Sequence, residues 1–106
     1  MYQNILLAVD GSEHSLRAAH EASQIAALSK GCSIEVVYVV DYAKAKAEVL
    51  HAISKEELEQ TRRQRLLPVQ ELLKFRKLAH RISILHGDPG PAIVDHANQN
   101  EFDLLV

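Results

Sequence analysis

The chain has 106 residues and a mass of 11.8 kDa, with 47% hydrophobic and 25% charged residues, values that fit one compact soluble domain and exclude a second. Its 12 basic and 14 acidic side chains leave a formal net charge of -2, which offers no broad attraction to nucleic-acid phosphates or anionic lipid. No apolar run approaches the ~20 residues of a membrane span, and a single cysteine, Cys32, excludes an intrachain disulfide or a CxxC site, so a reducing cytoplasm is the expected setting.

Asn4 to Val9 is a nearly continuous apolar run ending at Asp10-Gly11, the pattern of a central strand buried on both faces. Ser12 is the expected N-cap of a helix that runs to Ser29. In that helix Ser15, Ala19, Ala22 and Ala26 form a face of small side chains, opposite Glu13, Arg17, His20, Glu21 and Gln24. Gly31 supplies a left-handed stop, and Cys32 is expected to pack as a small hydrophobe. Ser33 to Val40, rich in β-branched residues, predicts a second buried strand closing on Asp41.

Ala43 to Ile53 is apolar but irregular and reads as a loop with a helical piece. Ser54-Lys55-Glu56-Glu57 fits a capping box, which predicts a helix running toward Ala79 with Val69, Leu72, Leu73 and Ala79 as its buried stripe. Pro68 is expected to kink or split that helix, because its ring removes one hydrogen bond and clashes with the preceding turn. Arg81 to His86 alternates polar and apolar residues, as expected of a third strand near the sheet edge. Asp88 is the expected N-cap of a third long helix, with Pro89 and Pro91 in its first turn and Ile93, Val94 and Ala97 as its apolar face to about Asn100. Phe102 to Val106 begins a fourth strand.

This order of strands and helices predicts an open parallel α/β sheet with right-handed crossovers and helices on its faces. Ligands of such sheets bind at the carboxyl ends of the strands. Those ends carry Asp10-Gly11-Ser12, Val39-Val40-Asp41 and His86-Gly87-Asp88-Pro89. Asp10 is placed to accept a hydrogen bond from a base amino group or a ribose hydroxyl, Gly11 lets the backbone turn, and Ser12 opens a helix whose N-terminus favours anions. Turn shaping and helix capping account for the same three residues equally well. Val39 and Val40 suit either the face of a flat base or the core.

The six histidines, His14, His20, His51, His80, His86 and His96, contain no HExxH and no i, i+4 pair, so no metal site is expected. GxSxG, GxGxxG and GxxxxGK[ST] are all absent from the sequence. Arg62-Arg63-Gln64-Arg65, set between Glu56, Glu57, Glu59 and Glu71, reads as a solvated mixed-charge helix face.

Ile5-Leu6-Leu7-Ala8-Val9-Asp10-Gly11-Ser12, then Val36-Val37-Tyr38-Val39-Val40-Asp41, then Gly87-Asp88-Pro89 with Ala92-Ile93-Val94, and finally Phe102-Asp103-Leu104-Leu105-Val106, together resemble the universal stress protein family over nearly the whole chain. The resemblance implies a Rossmann-like sheet of the adenine nucleotide alpha hydrolase kind, with strand order 3-2-1-4-5, in a dimeric cytoplasmic stress-response protein. It implies a sensor or regulator that binds ATP or AMP, with magnesium only alongside ATP, and no catalysis beyond weak ATP hydrolysis. Nucleotide-binding roles carry over to Ala8, Val9, Asp10 and Val39, with Gly11, Ser12, Val40 and Gly87 as secondary candidates. The family's phosphate loop, of the form G-x2-G-x9-G-[ST], and its fifth strand follow the fourth strand. The expectation is therefore a single domain over residues 1–106 that lacks the last part of a unit of about 140 residues. Two alternatives are a family member that binds no nucleotide and acts through protein association, and a phosphoacceptor receiver-like domain using Asp10 or Asp88. The receiver reading is weakened because Asp10 is followed by Gly11 and Ser12 rather than by a second acid.

Overall fold

The computed structural model describes residues 3–40, 55–100, 102 and 104–106. The expected loop at Ala43 to Ile53, the Ser54 cap and Asp41 lie outside the described residues. Four strands, β1 (Asn4–Ala8), β2 (Ser33–Val40), β3 (Ala79–His86) and β4 (Leu104–Leu105), alternate with three helices, α1 (Glu13–Leu28), α2 (Lys55–Phe75) and α3 (Pro89–Gln99). All strand pairs are parallel, as the alternation of strands and helices predicts, and the sheet order is β3-β2-β1-β4, as the resemblance implies.

The ladder places Ile5 beside Ile34, Leu7 beside Val36 and Ile82 beside Val36, so these side chains share one face. Against that face lie Ala19, Ala22 and Ala26 of α1 with Leu66, Val69 and Leu73 of α2, forming the main core. The predicted small face of α1 is the buried one, extended by the fully buried Ser23, whose hydroxyl donates to the His20 carbonyl at 2.7 Å. Small side chains let the helix axis approach the sheet closely, and each fully buried Leu, Ile or Val contributes about 1.5–3 kcal/mol. Cys32 is buried in the same cluster, as expected of a small hydrophobe.

Three local expectations are corrected. Of the kink or split expected at Pro68, the split does not occur: α2 runs unbroken from Lys55 to Phe75, with Leu66 before the proline and Val69 and Leu73 after it all buried in the core. Nor does α2 reach Ala79. It ends in a Schellman turn in which the Leu78 amide donates to the Leu73 carbonyl and the Lys77 amide to the Lys74 carbonyl, each at 3.0 Å. Lys77 takes the left-handed position, at φ 56°, so Ala79 is free to open β3 and is exposed rather than part of a helical stripe.

The third correction concerns α3, which lies on the opposite face. Its N-cap is Asp88 and Pro89 opens it, yet Val94 is 52% exposed and no residue of this helix is fully buried. One of its contacts with the sheet is polar. His96 reaches Glu35, a charged residue in the middle of β2 that is only 6% exposed. The Glu35 Oε1 also accepts from Arg81 Nε at 2.9 Å and Ser83 Oγ at 2.8 Å. Arg81 is the ladder partner of Glu35, and Ser83 stands two residues further along the same face.

Candidate functional site

A cavity of about 340 Å³ opens at the carboxyl end of the sheet, at the small end of the ~300–1,000 Å³ range of ligand sites. Its position follows from chain topology. Helix α1 leaves β1 on one face while α3 leads into β4 on the other, which leaves a crevice beside the end of β1. The floor is Ala8, Val9, Val37, Val39 and Val106; Pro89 and Ile93 of α3 form one wall, Ser12, His14, Ser15 and Ala18 of the α1 turn the other, and Asp10 stands at the rim.

Local chemistry explains the rim. The Ser12 amide donates to Asp10 Oδ1 at 2.8 Å, and Gly11 between them sits at φ +87°, a backbone angle that side chains disfavour. Ser12 then caps α1, its hydroxyl accepting from the Ser15 amide at 3.2 Å while the Ser15 hydroxyl returns a bond to the Ser12 carbonyl at 3.0 Å. Hydrogen bonds from the Ser12 side chain and amide hold the Asp10 carboxyl below its ordinary pKa, outweighing the opposing effect of burial. The carboxylate is therefore ionised and exposed beside an apolar cavity, where it can accept hydrogen bonds from a ligand's hydroxyl or amino groups.

Of the residues singled out in the sequence, Ala8, Val9, Asp10, Ser12 and Val39 all line this one cavity. The other three stand aside from it. Val40 is half-buried against the main core on the α1 and α2 face, because its side chain alternates away from that of Val39. Gly87 closes the turn after β3, donating its amide to the Val40 carbonyl at 3.0 Å. Gly11 lies under the side chain of Arg65, whose Nη1 donates to the Tyr38 hydroxyl at 2.9 Å. Arg65 thus has a specific place beside the Asp10 turn, where composition alone reads a solvated charged face.

His14, Ser15, Ala18, Val37, Pro89, Ile93 and Val106 also line the cavity and were not among the candidate site residues. For Ser15 and Ile93 the sequence carries a signal in helical spacing, three residues from Ser12 and four from Pro89, and for His14 it carries none. Among the described residues no cluster of three or more His, Cys, Asp or Glu side chains is arranged to hold a metal ion, and no helix is long and apolar enough to cross a membrane.

The sequence profile of the universal stress protein family matches residues 1–106. The chain belongs to the universal stress protein family. Solved structures of the family agree in fold. A universal stress protein, UspA, from Lactobacillus plantarum is 30% identical, with a TM-score of 0.71, and the match covers 99% of this chain and 75% of that one. A universal stress protein solved in complex with cAMP is 26% identical at a TM-score of 0.69, covering 98% of this chain and 70% of that one. The hypothetical protein MJ0577 superposes at a TM-score of 0.83 with 22% identity, covering 99% of this chain and 73% of that one, a likeness of fold. Among curated proteins nothing matches the chain significantly.

Proposed function

We propose that this universal stress protein binds an adenine nucleotide, ATP or AMP, in the cavity at the ends of β1 and β2. The observation that carries the reading is the convergence of Ala8, Val9, Asp10 and Val39 on one cavity of nucleoside size at the crevice where open parallel sheets bind ligands. Val39 and Val37 offer an apolar surface for the base, and Asp10 offers an ionised acceptor for ribose hydroxyls. The complex of a related universal stress protein with cAMP supports a nucleotide as the ligand class. On this reading the protein is a cytoplasmic, homodimeric regulator or sensor in the stress response rather than a turnover enzyme, with magnesium accompanying ATP and weak hydrolysis at most.

Thermal unfolding with added AMP or ATP tests the reading. A ligand at a hundredfold excess over its Kd stabilises the folded state by about 2.7 kcal/mol, which raises Tm on the order of 10 °C for a chain of this length. Val39→Phe should fill the cavity and remove most of that shift, and Asp10→Ala should weaken it. An unchanged Tm with both nucleotides would end this reading and leave a family member that works by protein association.

A further inference from the structure

Glu35 is an expensive residue to place in the centre of a strand, since a buried carboxylate costs several kcal/mol unless it is fully paired. Both of its oxygens are engaged. Arg81 and Ser83 serve Oε1, and His96 Nε2 lies 2.8 Å from Oε2. An ionised carboxylate only accepts, so Nε2 of His96 carries the proton and donates. On its other side the His96 ring meets Phe102, with centroids 5.9 Å apart and planes tilted by 37°. Burial raises the pKa of Glu35, but hydrogen bonds from His96, Ser83 and Arg81, with the Arg81 charge, hold it below the ordinary value.

The consequence lies in what His96 carries with it. Helix α3 buries no residue fully, so apolar packing gives it little purchase on the sheet. Ile93 stands three residues before His96, on the same side of the helix, and together with Pro89 it forms the cavity wall. We propose that Glu35 and His96 are positioning residues for the nucleotide cavity: their hydrogen bond clamps α3 onto the sheet and thereby fixes the wall made by Pro89 and Ile93. The clamp touches no ligand itself. Its value to the cavity rests on the nucleotide reading above, whereas its hold on α3 does not.

The test compares wild type with His96→Leu and His96→Gln by native-state hydrogen exchange and by AMP titration. Leucine adds apolar surface but leaves Oε2 unpaired, whereas the glutamine amide can donate to Oε2 again. In His96→Leu the α3 amides should exchange about tenfold faster or more while β1 and β2 keep their protection, and AMP affinity should fall by about the same factor. His96→Gln should restore both to within about threefold.

Unchanged or stronger α3 protection in His96→Leu would show that apolar packing holds the helix and would overturn the proposal. Uniform loss of protection across α3, β1 and β2 would also overturn it, because the pair would then support the whole fold. Loosened α3 with unaltered AMP affinity would sever the link to the cavity. If wild type binds neither AMP nor ATP, the nucleotide reading fails on its own, and the exchange pattern still decides whether Glu35 and His96 hold α3.

Discussion

Gly11→Ala should destabilise the protein by about 2–3 kcal/mol, and the structure separates the two causes. Gly11 lies at φ +87°, and holding an alanine on that left-handed side costs about 1–2 kcal/mol. A Cβ built there would also stand 2.6 Å from Cγ of Arg65 and 2.9 Å from both its Cβ and Cδ. The Cβ of Arg65 is fixed to the α2 backbone, so a new rotamer relieves only part of the clash. The remainder requires the helix to shift, and the 2.9 Å bond from Arg65 to Tyr38 is lost, at about 1 kcal/mol. Urea unfolding of wild type, Gly11→Ala, Arg65→Ala and the double variant completes a thermodynamic cycle. In the Arg65→Ala background the contacts with Cγ and Cδ are gone, so the glycine substitution should cost the backbone part and the remaining 2.9 Å contact with the alanine Cβ, leaving a coupling of about 1 kcal/mol. A Gly11→Ala cost below about 0.5 kcal/mol, the range of inconsequential surface changes, or strict additivity in the cycle, would refute the reasoning.

Two further outcomes are expected. Lys77→Gly should stabilise by up to about 1 kcal/mol in the same urea assay, because glycine accepts the left-handed C′ position of the Schellman turn without the side-chain penalty, less its own entropic cost in the unfolded chain. Stability should also decline with acid in a way that depends on Glu35. Its folded pKa lies below the ordinary value of 4.5, so the unfolded chain takes up that proton first. The contribution is therefore complete above that ordinary value and is lost as pH falls through the depressed folded value. Unfolding midpoints measured from pH 6 to pH 3 should fall less steeply for Glu35→Gln than for wild type.

Much of the fold was legible because its signals are local and repetitive. The apolar run Ile5 to Val9, the small face Ser15, Ala19, Ala22 and Ala26, and the stop at Gly31 each follow from strand or helix geometry within a few residues. Asp10, Ser12 and Val39 were legible as cavity residues because parallel strands bring their carboxyl ends to one side, whereas Ala8 and Val9 entered through the family resemblance. What escaped depends on partners distant in sequence. Glu35 reads as an incidental acid in an otherwise apolar strand, since Arg81, Ser83 and His96 stand 46, 48 and 61 residues away. His96 escaped for a related reason: histidine spacing reveals metal ligands at i, i+4, and it says nothing of a single imidazole on a helix meeting a carboxylate on the sheet beneath it. The continuity of α2 through Pro68 was hidden similarly, being a product of tertiary anchoring at Leu66, Val69 and Leu73 rather than of local propensity.

The Glu35 cluster also bears on how the edge strand finds its place. Were β3 to slip by one residue along β2, Arg81 and Ser83 would swing to the opposite face and Ile82 or His80 would arrive beside Glu35. The carboxylate would then be buried without its two β3 donors, and stripping a partner from a buried charge costs about 3–5 kcal/mol. The neighbouring stretch of β2, Val36-Val37-Tyr38-Val39-Val40, offers little of its own to tell one alignment from the next. The same slip would carry Ile82 and Ile84 out of the main core, so the acid on one face and the isoleucines on the other oppose a misaligned pairing of β2 with β3 together.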